Sequence, residues 1–468
     1  MSHCKSSYTC LRSHANFPPV FHCRAQLDQH TIDTVVAEIE PLLSNDAEVS
    51  TNVRPQTLRT LALLLNNNTS ALAGVRARIE PHLLAILQSS LTQGAALDAE
   101  IDVFAAIVRA DASVADDVVA KLLGLAEHGK ARRAGTHLYS AVSRCIGAVV
   151  QTAPASADNV VARVSKDLRR VAKLSDLDIY FDLHTLGELG RSRSFAASDE
   201  LVQDVLALYE SKSEEVKGAA AFALGNMAVG SLEELLPIIE EHVNTSDAAG
   251  GNVGKRVLSL HALKELISNA ATEQLRTVAS RVWTPLFAAC DTKDEATRNI
   301  GAECLARLTL SDPATYLVQL EAALASPSAS IRAAVITALR FTLTDNSSAV
   351  STSAKGKGAG GTLAVGPSSK LDEALAPLMI PFLSVLKDVD LDVRRHALFA
   401  LNAAAHNKPH LIRDLLPTIV PLLYAETHPK PELLRKVTMG PFTITTDDGL
   451  DLRKVSLLSY TLQARSFC

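Results

Sequence analysis

Aromatic side chains make up only 4% of the 468 residues, with a single tryptophan, so a sheet core of aromatic and β-branched strands has little to be built from. The 47% hydrophobic content is carried by Ala, Leu and Val, which favours helices. A basic excess is also missing: net charge is −5, and no stripe of Lys and Arg with interleaved aromatics occurs, which argues against a nucleic-acid partner. No apolar run approaches the length of a membrane span, so no membrane partner is expected. The seven cysteines stand singly at 4, 10, 23, 145, 290, 304 and 468, without a disulfide framework. Reduced thiols in a nuclear or cytosolic protein are the simple reading. Catalytic patterns are lacking too: the repeat region has no Gly-x-Ser-x-Gly elbow, no His-Glu-x-x-His and no close Cys/His quartet. His184, His261, His396, His406 and His410 are scattered singly, as packing or surface histidines are. No enzyme, cofactor or metal is expected.

What is present is periodicity, stated most plainly from Lys370 to Arg453. Leu375, Leu378, Met379, Phe382, Leu383 and Leu386 place one apolar stripe on a helix. After a turn at Lys387 to Asp390, Val393, Ala397, Ala400, Leu401 and Ala404 trace a second helix, with Asp390 or Asp392 at its N-terminus. The pattern restarts with Leu415, Leu416, Ile419, Val420, Leu423 and Tyr424. Taking the residue just after each turn as an anchor gives Tyr180, Lys217, Arg256, Arg298, Arg332, Arg394 and Arg453. The steps are 37, 39, 42, 34, 62 and 59 residues, and the two long ones contain inserted segments. An all-α solenoid of HEAT or armadillo helix pairs is the expected fold.

The first helix of the periodic region holds Val35, Val36, Ile39, Leu42 and Leu43, and its return holds Leu58, Leu61, Ala62 and Leu65. The domain reading is a leader over 1–30, repeats over 31–344, a Ser/Gly-rich disordered insertion over 345–370, and repeats over 371–468. The leader lacks acids up to position 27 and carries Cys4, Cys10, His14 and Cys23, so a transit peptide and a zinc site stand beside plain disorder. Gly356 to Gly361 and Gly251 to Arg256 both fail as phosphate loops, the first for want of a preceding strand. Prolines recur in first helices, at 237, 377, 381, 417 and 421, which implies a kink belonging to the repeat. Asp388 and Arg394, like Asp447 and Arg453, lie six apart and suit a ladder between neighbouring repeats.

One piece breaks the helical period. Over 436–446, Val437, Thr438, Phe442, Thr443, Ile444, Thr445 and Thr446 are β-branched or aromatic, and Gly440-Pro441 separates two short runs. A β-hairpin projecting as a finger is one reading, an irregular loop folded back on its repeat the other.

Four stretches carry a resemblance: Ser213 to Gly225, Thr297 to Leu305, Ala405 to Asp414, and Met439 to Phe442 with Asp447 to Lys454. They resemble the C-terminal half of the cullin-associated, neddylation-dissociated HEAT-repeat proteins, over about Ile32 to Leu462, with truncation at the C-terminus. The resemblance implies a non-enzymatic regulator of cullin–RING ubiquitin ligases, found in nucleus and cytoplasm, that wraps the unneddylated core. It also implies competition with the substrate-receptor adaptor, receptor exchange, and a separate chain supplying the N-terminal half. The family's hairpin enters the adaptor's site. Its counterpart here is Lys436, Val437, Thr438, Met439, Gly440, Pro441, Phe442, Thr443 and Ile444. Val455, Leu457 and Leu458 are expected to be exposed at an uncapped solenoid end, which favours pairing or aggregation. The alternative is a generic HEAT scaffold or a karyopherin-like transport adaptor.

Overall fold

The computed structural model describes residues 27–43, 53–89, 92–127, 136–244, 253–344, 370–439 and 442–457. The inserted segment up to 369, with the first glycine loop, and the Cys4, Cys10, His14 and Cys23 set lie outside them, as does the leader up to 26; of the second glycine loop, 253–256 open the helix Val253–Asn269 and the residues before it lie outside. The first helix begins at Gln29, two residues inside the expected leader.

The chain runs as a succession of antiparallel helix pairs, an α-solenoid. Second helices span Val53–Asn67, Ala95–Ala110, Thr136–Thr152, Asp176–Gly190, Glu214–Gly230, Val253–Asn269, Glu295–Ser311, Ala329–Thr344 and Leu391–Asn407, and each packs on the next. Each repeat thus buries its face against its neighbours rather than in one central core. The apolar stripes point inward as expected: Val36, Ile39 and Leu43 are buried, as are Leu58, Leu61 and Leu65.

The starts of these helices follow from local chemistry. Ser175 and Asp178 form a capping box, Asp294 accepts from the Thr297 amide at 2.8 Å, and Asp390 accepts from the amides of Asp392 and Val393. Such caps contribute about 1 kcal/mol each. Lys217, Arg256, Arg298, Arg332 and Arg394 all sit at the fourth helical residue. Arginine recurs there because it can curl back onto the turn. Arg298 donates to the carbonyls of Thr292 and Lys293, both at 3.1 Å, and Arg332 to those of Ser326 and Pro327 at 2.8 and 3.1 Å.

The same arginines join repeats on either side of the insertion. Arg332 holds both Asp388 carboxylate oxygens at 2.8 Å, and Arg298 reaches Asp392 at 3.0 Å. Arg332 on Asp388 is a rung of the expected ladder, whereas Arg298 uses an aspartate the spacing did not mark. The ladder stops there, because Arg394 pairs with Glu426 at 3.3 Å and Asp447 turns to Arg453 of its own repeat.

Prolines act less uniformly than their recurrence implies. Pro377 and Pro381 break what the period predicts as one helix into Lys370–Leu375, a 3-10 turn and Met379–Val385, since neither proline has an N–H to continue the ladder. Pro417, by contrast, sits in the first turn of Leu416–Thr427, where a missing N–H costs nothing. Tyr424, placed on the buried stripe by period alone, is 59% exposed.

Glycine sets the closest approaches in the stack. A Cβ on Gly225 would lie 2.2 Å from the Ala262 carbonyl oxygen, and one on Gly190 would lie 2.6 Å from the Met227 Cα. Glu214–Gly230 is therefore buried almost all round by Ala219, Ala220, Ala221, Ala223, Leu224 and Met227. Where these helices end, the wholly buried Asn226 amide oxygen accepts from Arg191 at 2.9 Å and from Asn269 at 3.0 Å, tying three repeats in register.

Candidate functional site

The break in the helical period falls between the helix Leu416–Thr427 and a last helix over 450–457. Two strands form there, β1 (Leu434–Met439) and β2 (Phe442–Asp447), paired antiparallel from Leu434 with Asp447 to Met439 with Phe442. The ribbon starts two residues earlier and ends one later than the sequence pattern marks. The hairpin reading holds and the folded-back loop does not. Gly440 and Pro441, between the strands, lie outside the described residues.

The register pairs the expected contact residues across the two strands: Lys436 with Thr445, Val437 with Ile444, Thr438 with Thr443 and Met439 with Phe442. Leu434, Arg435, Lys436, Thr445 and Thr446 are exposed, which fits a ribbon standing off the stack.

Its base is held firmly. The Asp448 amide donates to the Leu433 carbonyl at 3.0 Å, and the Gly449 amide donates to the Asp447 carboxylate at 2.9 Å. Gly449 packs closely on Leu433: a Cβ there would lie 2.7 Å from Leu433 Cδ1, so that side-chain tip would have to move. Asp447 also pairs with Arg453. Just before the ribbon, Glu426 takes Lys430 at 2.6 Å and Arg394 of the preceding repeat at 3.3 Å. The Asp447 to Lys454 motif is therefore the ribbon's foundation. Period and spacing did not single out Glu426; the Glu426 and Lys430 pair, four apart, was available as a signal, whereas Arg394 on Glu426 was not.

The Ala405 to Asp414 stretch has a structural task as well. Lys408 and Asp372 are both buried and meet at 2.7 Å, and His410 reaches the other Asp372 oxygen at 3.2 Å. That cluster fastens the helix beginning at Lys370 to the following repeat.

The scattered histidines stay apart and do not converge on a site. His184 is stacked between Tyr180 at 4.2 Å and Phe222 at 4.3 Å, and burial pushes its pKa down to about 4. His396 meets Thr337 at 3.1 Å, and burial lowers its pKa too. Cys145, Cys290 and Cys304 are free and buried. Among the described residues there is no group of three metal-ligating side chains, and no helix is long and apolar enough to cross a membrane. At the end of the described chain Leu457 is 56% exposed, as expected, whereas Val455 packs on the core; Leu458 lies outside.

A family model described as TATA-binding protein interacting (TIP20) matches residues 411–463, the stretch that holds the ribbon and its base. Cullin-associated NEDD8-dissociated protein 1 of Drosophila melanogaster is 34% identical over 95% of this chain and 35% of its own length. Protein 2 of Rattus norvegicus is 30% identical over 91% of this chain and 31% of its own length. A protein of Emericella nidulans named as the C-terminal part of protein 1 is 35% identical over 67% of this chain and 28% of its own length. Among solved structures, Kap121p bound to Pho4p aligns with a TM-score of 0.38 at 12% identity, over 92% of this chain and 45% of that one. The chain spans about a third of the length of the curated relatives it matches. On the strength of its sequence relatives and the helix-pair solenoid that carries the matched ribbon, the chain belongs to the cullin-associated NEDD8-dissociated protein family.

Proposed function

We propose that this chain is a non-enzymatic regulator of cullin–RING ubiquitin ligases. It binds the unneddylated cullin–RING core in nucleus and cytoplasm, acting with a separately supplied chain that provides the N-terminal half of the factor. The antiparallel ribbon over 434–447, lying in the segment matched by the family model, is the observation that carries this reading. Lys436 to Ile444 occupy the adaptor's place on the cullin, while the helical repeats lie along the scaffold. The adaptor displaces the ribbon end first. Receptor exchange is then a difference in affinity between two competing ligands, each shifting the same equilibrium. One half alone binds weakly, because two linked surfaces gain from effective concentration.

The test is a pull-down of unmodified and modifier-conjugated cullin–RING core, with and without an N-terminal-half protein. Capture of the unmodified form alone is expected, strengthened by the second protein. Replacing Met439 to Phe442 with Gly and Ser should remove competition with the adaptor while leaving the melting temperature unchanged. No capture in any combination would sink the proposal. Imaging a fluorescent fusion tests the compartment separately, and exclusion from both would correct it.

A further inference from the structure

Glu100 is wholly buried, and neither of its carboxylate oxygens has a hydrogen-bond partner. It shares one face of Ala95–Ala110 with Val103, Phe104 and Ile107, an apolar stripe. That helix packs between Val53–Asn67 and Thr136–Thr152. Other buried acids of the stack are matched by cations: Glu80 takes Arg76 at 3.2 Å and Lys121 at 2.9 Å, and Asp372 takes Lys408 at 2.7 Å. Glu100 has no such match. Arg54 of Val53–Asn67 is the one cation acting on it among the described residues; it does so through space, without an ion pair, and its own Nε is buried and unpartnered.

A lone charge in an apolar interior costs so much that the group gives up the charge instead. Burial therefore holds the Glu100 carboxyl well above the usual carboxylate range, against a smaller pull from Arg54. On the other side, Cys145 of Thr136–Thr152 is buried too, and its thiol is pushed up by burial first and by Glu100 second. The remaining charges near Cys145 are engaged elsewhere, Arg144 by the exposed Asp98 at 2.7 Å and Glu188 by Arg191 at 3.2 Å. The helix that carries Glu100 is also less fastened than those of later repeats. It starts from Gly94, at a φ of 54° and without a side-chain cap, where Ser175, Ser213, Asp294 and Asp390 cap theirs.

We propose that the packing of Ala95–Ala110 between its two neighbours is a proton-dependent joint, closed while Glu100 is an uncharged acid and opening to bring it to water as the acid ionises. In the open joint the proton passes to solvent near the ordinary glutamate value of about 4.3, whereas the closed joint keeps it to higher pH. The closed state binds the extra proton between those limits. Its stability is thus fully present below about pH 4.3 and is lost as the pH rises toward the closed-state value. This goes beyond the cullin reading and does not rest on it, since the ribbon belongs to the other end of the chain.

The test is hydrogen exchange of the full chain from pH 6 to 8, read by mass spectrometry over Ala95–Ala110, with each rate divided by that of unstructured peptide at the same pH. Protection should fall by up to about tenfold per pH unit, the limit for one linked proton. Glu100→Gln, which cannot ionise, should lack that fall; Glu100→Met, apolar and of similar length, gives the same comparison if the buried amide prevents folding. Arg54→Met keeps the side chain's length and removes its charge, and should change protection at pH 6 by about threefold or less. The same pH course in wild type and in either Glu100 variant would overturn the proposal. So would a loss of about a hundredfold or more in Arg54→Met, the mark of an ionised buried pair broken on one side.

Discussion

The middle of the solenoid and the ribbon near its end are held in different ways. Between Asp176 and Asn269 the helices touch because atoms are missing: Gly190, Gly225 and a run of alanines bring backbone against backbone. At the ribbon the helical contact ends, and charges take over at its base, through Arg453 on Asp447 and Arg394 and Lys430 on Glu426. Close packing has no slack, because any added atom must displace a neighbour. These ion pairs are largely shielded from solvent, yet one partner can be lost without forcing any neighbour to move. The stack is therefore the rigid part and the ribbon the adjustable part.

The sharpest way to break this comparison is Gly225→Val. Its Cβ would lie 2.2 Å from the Ala262 oxygen, and overpacking of that kind should cost about 3 kcal/mol or more. Thermal melting should show a marked loss, and a wild-type melt would mean that the stack yields more easily than its geometry implies. A smaller effect, confined to acid, should come from His184. The unfolded imidazole takes up a proton near its ordinary pKa of about 6.5, while the folded one resists until about 4. The unfolded state thus binds the extra proton within that window, so stability is present above it and lost as pH falls through it. The loss should approach about 2 kcal/mol between about pH 7.5 and about pH 5. In His184→Phe, which keeps a ring between Tyr180 and Phe222, urea unfolding should lose that share of its pH dependence; an unaltered slope would refute the assignment. Arg453→Ala should have the smallest effect on the whole molecule, about 1.5 kcal/mol, because it removes one charged hydrogen bond and leaves the stack untouched. Hydrogen exchange at Lys436 and Thr445 should nevertheless quicken. A drop in melting temperature as large as that of Gly225→Val would show that the ribbon is part of the core after all.

Much of the fold was legible because helices announce themselves by period. The anchors from Lys217 to Arg394 marked the fourth residue of each second helix, and the Val, Thr and Ile content of 436–446 marked the ribbon. The earlier second helices, Ala95–Ala110 and Thr136–Thr152, were harder to place, since they carry no anchor arginine after their turns. Tyr424 was misassigned to the buried stripe because period gives an angle around a helix and says nothing about where the neighbouring helix lies. The single stripe from Leu375 to Leu386 was legible as burial but not as a broken helix, because apolar spacing survives a proline-induced 3-10 turn.

By itself, the sequence determined the all-helical class, the repeat length, the place of the ribbon and the family. Each of these rests on local spacing or on a stretch of consecutive residues. Only the tertiary structure decided that Asp388 answers Arg332 while Asp447 serves Arg453, that Glu426 straps the ribbon to the preceding repeat, and that Gly225 meets the Ala262 carbonyl of the next repeat. Those outcomes depend on how far each repeat is rotated and shifted against the next. That displacement is set by the summed packing of many side chains, which leaves no mark on any single residue.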